Sequence, residues 1–211
     1  MAVRIKICGI TRMEDLKAAC AAGADALGFV FCARSPRNLS IDRAAALVKA
    51  LPPFVQSVGL FVDAEQGFVE AVLKDVSLGV LQFHGDEDPV FCRQFGKPYL
   101  KAIRVREGVD LVEYASAYGD ACGLLLDAFV PDVPGGSGER FDWRLIPAGL
   151  PKPIVLSGGL TPENVTEAVR QVKPWAVDVS SGVEAAKGIK DAAKLAAFIE
   201  NARCAAETDK P

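Results

Sequence analysis

Short apolar runs separated by amphipathic segments recur eight times along this chain, and that alternation limits the fold more than any other feature. The runs are Val3 to Ile7, Ala26 to Phe31, Val55 to Val62, Gly79 to Phe83, Tyr99 to Ile103, Gly123 to Leu126, Ile154 to Leu156 and Ala176 to Val179. Each has the length of a buried strand rather than of a helix. Between them, apolar residues at helical spacing mark Met13 to Ala22, with Leu16, Ala19 and Cys20 on one face, and Ile41 to Leu51, with Ala45, Leu47 and Val48. Strands that alternate with helices pair in parallel, because a helix must carry the chain back between them. Eight such units in 211 residues predict an α/β protein of the (β/α)8 TIM-barrel type, since an open doubly wound sheet usually has fewer strands.

Half of the residues are hydrophobic and the composition shows no break, which suits one domain with a large core. The expected domain spans 1–205, and the polar end at 206–211, closing on Asp209-Lys210-Pro211, is expected to fray. A net charge of −3 with acids and bases interspersed offers no sustained cationic surface, so nucleic acid is not an expected partner. Charges at Arg4 and Lys6 interrupt the first residues, and no apolar run reaches the length of a membrane span, which gives the expectation of a cytoplasmic protein. The six cysteines, at 8, 20, 32, 92, 122 and 204, form no Cys-x-x-Cys pair, and His84 is the one imidazole. Neither a zinc site nor a disulfide framework is expected; the thiols read as reduced and mostly as small buried hydrophobes.

A barrel of this kind carries its chemistry at the C-terminal ends of the strands. Cys8-Gly9 follows the first strand, where alternation turns Cys8 to the face of Arg4 and Lys6, opposite Val3, Ile5 and Ile7. Cys8 is therefore either a packing thiol or one that a nearby cation draws towards thiolate. Asp127 stands at the end of Gly123-Leu124-Leu125-Leu126, where desolvation favours the protonated form that a general acid needs; capping of the next segment is the alternative role. Ser157-Gly158-Gly159-Leu160 follows the seventh strand, with Thr161 read as a helix N-cap before Pro162, and Ser180-Ser181-Gly182 follows the eighth. Those two loops are where such barrels commonly bind phosphate. Arg37, in Ser35-Pro36-Arg37, has the planar fork that suits a carboxylate or phosphate, or else is a solvated surface residue. Gly135-Gly136-Ser137-Gly138 is read as a flap or a plain loop, not a nucleotide P-loop. His84, in Gln82-Phe83-His84-Gly85-Asp86, is assigned a structural or substrate-adjacent place and no catalytic role.

Taken in order, Lys6-Ile7-Cys8-Gly9-Ile10, Ser35-Pro36-Arg37, Gln82 to Asp86, Leu126-Asp127, Gly135 to Gly138 with Phe141-Asp142-Trp143, Ser157 to Leu160 and Asp178-Val179-Ser180-Ser181-Gly182-Val183-Glu184 resemble the motifs of the phosphoribosylanthranilate isomerases. The resemblance spans nearly the whole chain. It implies an Amadori rearrangement in tryptophan biosynthesis that needs no cofactor or metal. It also implies Cys8 as general base, Asp127 as general acid, Arg37 and Asp178 at the anthranilate end, and Gly158, Gly159, Ser181 and Gly182 around the phosphate. The partners it implies are a small phosphosugar-anthranilate substrate and, in a homodimer, a second copy; a monomer fits equally. Two departures lie beside the anthranilate pocket: Asn38-Leu39-Ser40, where a tyrosine is often found, and Cys32-Ala33, where an aromatic is common. The nearest rival, a histidine-pathway aminoaldose isomerase, typically has aspartate at the position of Cys8. A non-catalytic phosphosugar-binding barrel is the reading from a different class.

Overall fold

The computed structural model describes residues 2–128 and 141–207. Eight parallel strands close on themselves in sequence order: β1 (Arg4–Cys8), β2 (Ala26–Phe31), β3 (Gln56–Phe61), β4 (Val80–Phe83), β5 (Tyr99–Val105), β6 (Gly123–Ala128), β7 (Ile154–Leu156) and β8 (Ala176–Val179). Every expected strand is present. β5 and β6 run past the expected ends Ile103 and Leu126, which places Asp127 inside β6 rather than beyond it.

Among the described residues seven α-helices flank the barrel: α1 (Met13–Ala22), α2 (Ile41–Lys49), α3 (Gln66–Asp75), α4 (Pro89–Arg93), α5 (Leu111–Ala117), α6 (Val165–Val172) and α7 (Ala192–Glu207). Ser40 caps α2 by accepting from the Arg43 N–H, and Asp88 caps α4 by accepting from the Phe91 N–H, ahead of Pro89 at the first helical position. Between β6 and β7 the described residues hold a 3-10 turn, Trp143–Leu145, where the alternation implied a helix. Pro147, Gly149, Pro151 and Pro153 explain the difference, because proline removes a helical N–H and clashes with the preceding turn. The helix after β7 starts at Val165, with Asn164 as N-cap; Thr161 instead donates its N–H to Asn164 Oδ1 in the turn before it. The segment Gly135 to Gly138 lies outside the described residues. α7 continues to Glu207, so the boundary expected at 205 falls within a helix.

The strands are buried on both sides, which is why they read as continuous apolar runs. Ile5, Ile7, Leu27, Phe29, Phe31, Phe61, Leu81 and Phe83 belong to the main core, shared with Leu16, Leu47, Val69 and Phe198 of the helices. Phe31 stacks on Phe61 at 5.2 Å between ring centroids. A separate cluster, Ala102, Leu125, Val155 and Ala176, fills the interior of the barrel, each residue standing two positions before Arg104, Asp127, Ser157 and Asp178. This plug gives the site a dry floor.

The expectation that most cysteines are buried is corrected. Cys8 and Cys92 are buried, Cys20 and Cys32 half-buried, and Cys122 and Cys204 exposed, and none of the six is in a disulfide. Cys204 lies on the outer side of α7, and Cys122 precedes β6, where its thiol donates to the Tyr99 carbonyl.

Phe198 is fully buried on α7, the helix that packs on both α1 and α6. Phe198→Ala is expected to cost about 3–5 kcal/mol of stability, read as a lower urea midpoint with activity kept in the folded fraction.

Candidate active site

The C-terminal ends of the strands open into a cavity of about 170 Å³. Cys8, Arg37, Asp127, Gly158, Gly159, Asp178, Ser181 and Gly182 all line it, so every site residue expected from the sequence converges here. Gln82 and His84 also line it, although the sequence assigned them no chemistry.

Cys8 ends β1 and faces the interior with Lys6, as alternation requires. The Lys6 ammonium is buried and donates to Asp178 Oδ1 at 2.8 Å; Ser157 Oγ lies 3.4 Å from Asp178 Oδ2. Burial disfavours the Lys6 charge, yet Asp178 and the neighbouring Cys8 hold it above the ordinary lysine value. For Cys8 the balance goes the other way. Burial pushes the thiol up, and although Lys6 and Lys190 pull it down, they do not overcome the loss of water and the Asp178 carboxylate. The sequence pointed to a cation favouring thiolate; that attraction exists, but desolvation exceeds it. A side-chain alternation shows where Lys6 points, whereas the depth of burial emerges from closure of the barrel.

Asp127 is held from two sides. Its Oδ1 accepts the Ala128 N–H at 2.9 Å, and its Oδ2 lies 3.0 Å from His84 Nε2. The Gln82 amide nitrogen donates to His84 Nδ1 at 2.9 Å, which leaves the hydrogen on Nε2 to be donated to Asp127. Gln82 and His84 stand two residues apart at the end of β4, on the face that looks inward. The loop carrying His84 is itself pinned: buried Lys101 bonds Glu87 at 2.9 Å, and Glu87 accepts the backbone N–H groups of Asp63 and Gly85. The two-residue spacing of Gln82 and His84 was the available signal for this relay; its target, 43 residues away, was not visible locally.

The two ends of the cavity differ in chemistry. On the β2–β3 side, Val30, Cys32, Leu60 and Val62 form an aliphatic wall beside Arg37. The aromatic residues in doubt around Asn38 and Cys32 are thus not needed for an apolar surface there, and Leu39 is buried in the main core instead. Arg37 forks onto Glu184, with Nε and Nη2 each 2.7 Å from a carboxylate oxygen. Burial favours neutral Glu184, but Arg37 and Lys190 hold its carboxyl below the ordinary value. That edge of the guanidinium is committed, and among the described residues Nη1 makes no hydrogen bond to the protein.

On the β7–β8 side two loops meet. Gly158 and Gly159 adopt left-handed backbone, φ +83° and +61°, and a Cβ at Gly158 would come within 2.5 Å of the Ala128 nitrogen. Gly182 is packed so closely against the neighbouring loop that an added Cβ would lie 1.9 Å from the Leu160 carbonyl oxygen. Among the described residues the backbone N–H groups of Gly158, Gly159, Ser181 and Gly182 donate to no protein acceptor. Such unspent donors suit an anion.

A closed parallel barrel with a thiol, a histidine-held carboxylate and an anion cradle at its C-terminal rim defines a TIM-barrel enzyme working on a small anionic substrate. Comparison with known proteins narrows the class. A family model described as N-(5′-phosphoribosyl)anthranilate (PRA) isomerase matches residues 5–201. The N-(5′-phosphoribosyl)anthranilate isomerase of Thiobacillus denitrificans is 66% identical over 203 residues, covering 96% of this chain and 99% of that one. The crystal structure of phosphoribosyl anthranilate isomerase from Thermotoga maritima superposes with a TM-score of 0.86 at 43% identity, over 96% of this chain and 99% of the other. A crystal structure of a phosphoribosyl anthranilate isomerase in complex with reduced 1-(o-carboxyphenylamino)-1-deoxyribulose 5-phosphate is similar at 42% identity and a TM-score of 0.83, over 96% of this chain and 99% of the other. The chain belongs to the N-(5′-phosphoribosyl)anthranilate isomerase family, isomerases of tryptophan biosynthesis.

Two outcomes follow from this geometry. Gly182→Ala forces the two glycine loops apart, so inorganic phosphate, expected to raise the melting temperature of wild type, should leave that of the variant unchanged. Alkylation of Cys8 by iodoacetamide should accelerate with pH above the ordinary thiol range, and Lys6→Met should slow it at any given pH, because removing the ammonium raises the thiol further.

Proposed function

We propose that this chain converts N-(5-phospho-β-D-ribosyl)anthranilate into 1-(2-carboxyphenylamino)-1-deoxy-D-ribulose 5-phosphate, with Asp127 as general acid and Cys8 as general base. The observation that carries the reading is one cavity with Cys8 and Asp127 on strands three steps apart around the barrel, an aliphatic wall with Arg37 at one end and open backbone donors at the other. That polarity matches a substrate with an aromatic carboxylate at one end and a phosphate at the other. Arg37 and Asp178 orient the anthranilate end; Gly158, Gly159, Ser181 and Gly182 hold the phosphate.

The reaction then proceeds by proton transfers alone. Protonated Asp127 gives its proton to the furanose ring oxygen. The bond from that oxygen to C1′ breaks as the aniline nitrogen lone pair forms the iminium. Cys8 thiolate removes the proton from C2′, and the released electron pair forms the C1′–C2′ double bond while neutralising nitrogen. Tautomerisation of the enolamine moves the hydroxyl proton from O2′ to C1′ and leaves the ketone. Over one turnover Asp127 has lost a proton and Cys8 gained one, so the site resets when a proton returns from the thiol to the carboxylate.

The charges around Cys8 fit this order. In the free site burial keeps Cys8 largely a thiol. The iminium formed after ring opening adds a positive charge beside it, which together with Lys6 favours thiolate at the step that needs it. His84 bonds the Asp127 oxygen as an anion is left behind, which stabilises the carboxylate after its proton has gone.

The test is loss of anthranilate-type fluorescence on freshly generated substrate. Wild type should turn over, while Cys8→Ser and Asp127→Asn, which roughly keep shape, should each lose about a hundredfold or more in kcat. Inactive wild type would sink the isomerase reading in favour of a phosphosugar-binding barrel. Active variants would keep the reaction and overturn the two assignments.

A further inference from the structure

After β8 the chain forms a 3-10 turn (Ser181–Val183) and a small antiparallel pair, β9 (Glu184–Ala186) and β10 (Ile189–Lys190), that lies outside the barrel. Nothing in the family's chemistry as read above uses this strap. It nevertheless delivers a lysine whose side chain is completely buried beside the site.

Lys190 Nζ bonds Glu184 Oε1 at 3.0 Å and the Ser180 carbonyl oxygen at 3.0 Å. Glu184 in turn holds the fork of Arg37. Ser180 donates its hydroxyl to the Cys8 carbonyl at 3.1 Å and immediately precedes Ser181 and Gly182 of the anion cradle. One ammonium therefore touches the support of the arginine and the support of the cradle at once. The strap has its own anchors: the Lys190 N–H donates to Asp15 of α1, Thr11 Oγ1 donates to the Gly188 carbonyl, and the Asp191 N–H donates to the Val183 carbonyl. Asp15 is itself gripped by Arg12 through two hydrogen bonds.

A purely structural ion pair would not need a lysine here. Arg37 already satisfies both oxygens of Glu184, and burying a second cation against the same carboxylate carries a desolvation cost. That cost is visible in Lys190 itself: burial pulls its value below that of an ordinary lysine despite the pull of Glu184 in the other direction. What the lysine adds is a rigid link within the turn after β8, between Ser180 beside the cradle and Glu184, which holds Arg37 of the loop after β2.

We propose that Lys190 is a positioning residue that sets the distance between the carboxylate-binding and phosphate-binding ends of the site, acting through Glu184 and Arg37 at one end and through Ser180 at the other. The inference rests on the isomerase reading above for its substrate, and deepens it. A rigid span between two anion subsites selects substrates by the separation of their charges, so Lys190 bears on specificity as well as affinity.

The experiment compares wild type, Lys190→Met, Lys190→Arg and Glu184→Gln. Lys190→Met should raise KM for phosphoribosylanthranilate about tenfold or more while kcat changes less, and should weaken inhibition by anthranilate and by inorganic phosphate alike. Lys190→Arg, which keeps the charge, should recover much of the loss. Glu184→Gln should weaken anthranilate inhibition but leave phosphate inhibition near wild type, because Lys190 still holds Ser180. Should Lys190→Met fail to fold, the Glu184→Gln comparison carries the test. Unchanged KM in Lys190→Met, a loss confined to kcat, or Glu184→Gln weakening both inhibitors equally would overturn the proposal. If wild type does not turn over the substrate, the functional reading fails by itself. Thermal protection by inorganic phosphate, expected in wild type and lost in Lys190→Met, then decides the positioning role separately, and protection retained in the variant overturns it.

Discussion

The pairing of β1 with β8 is the contact on which the rest of this molecule depends. It joins segments that lie 172 residues apart at Lys6 and Asp178, which stand opposite each other in register and form a buried ion pair at 2.8 Å across the seam. Without that closure the strands have no interior, the plug of Ala102, Leu125, Val155 and Ala176 has nothing to fill, and the C-terminal ends do not face one another. A closed parallel sheet also removes both edges, so that every strand is satisfied by two neighbours. The same pair acts on Cys8, with Lys6 pulling its thiol down and Asp178 pushing it up.

Among the described residues these buried charges are paired, and most of the pairs join elements remote in sequence. Lys6 meets Asp178, Arg37 and Lys190 share Glu184, Lys101 meets Glu87, and His84 meets Asp127. A buried ion pair is seldom a net source of stability, since desolvation offsets most of the attraction. Its value here is positional. Each pair fixes a loop or a side chain at the rim of the cavity, and in a site emptied of bulk water the direction of each dipole is not averaged away. The cost of the same burial falls on Cys8, whose thiolate form is disfavoured.

How much of this was legible beforehand depends on the range over which each property is set. The eight apolar runs located the strands, because a strand buried on both faces must be apolar along its whole length. The helices at Met13 and Ile41 followed from spacing in the same way. The helix implied between β6 and β7 did not appear among the described residues, where four proline and glycine positions outweighed the pattern. The site residues were readable as strand-end motifs, yet the partners that give them their character were not. His84 stood beside Gln82 with no hint of Asp127, and Glu184 and Lys190 read as ordinary charges at the end of a motif.

The sequence by itself therefore determined the class of fold, the places along the chain where chemistry can sit, and which residue types occupy them. Those follow from local periodicity and from the intrinsic chemistry of thiol, carboxylate, guanidinium and glycine. Only the tertiary structure decided that Lys6 spends its charge on Asp178, that burial outweighs its pull on Cys8, that Arg37 is aimed by Glu184, and that two glycine loops interlock into one cradle. Desolvation and hydrogen-bond geometry depend on atoms brought together across the closed barrel, and the partners in the Lys6–Asp178, Arg37–Glu184 and Gly182–Leu160 contacts lie far apart in sequence.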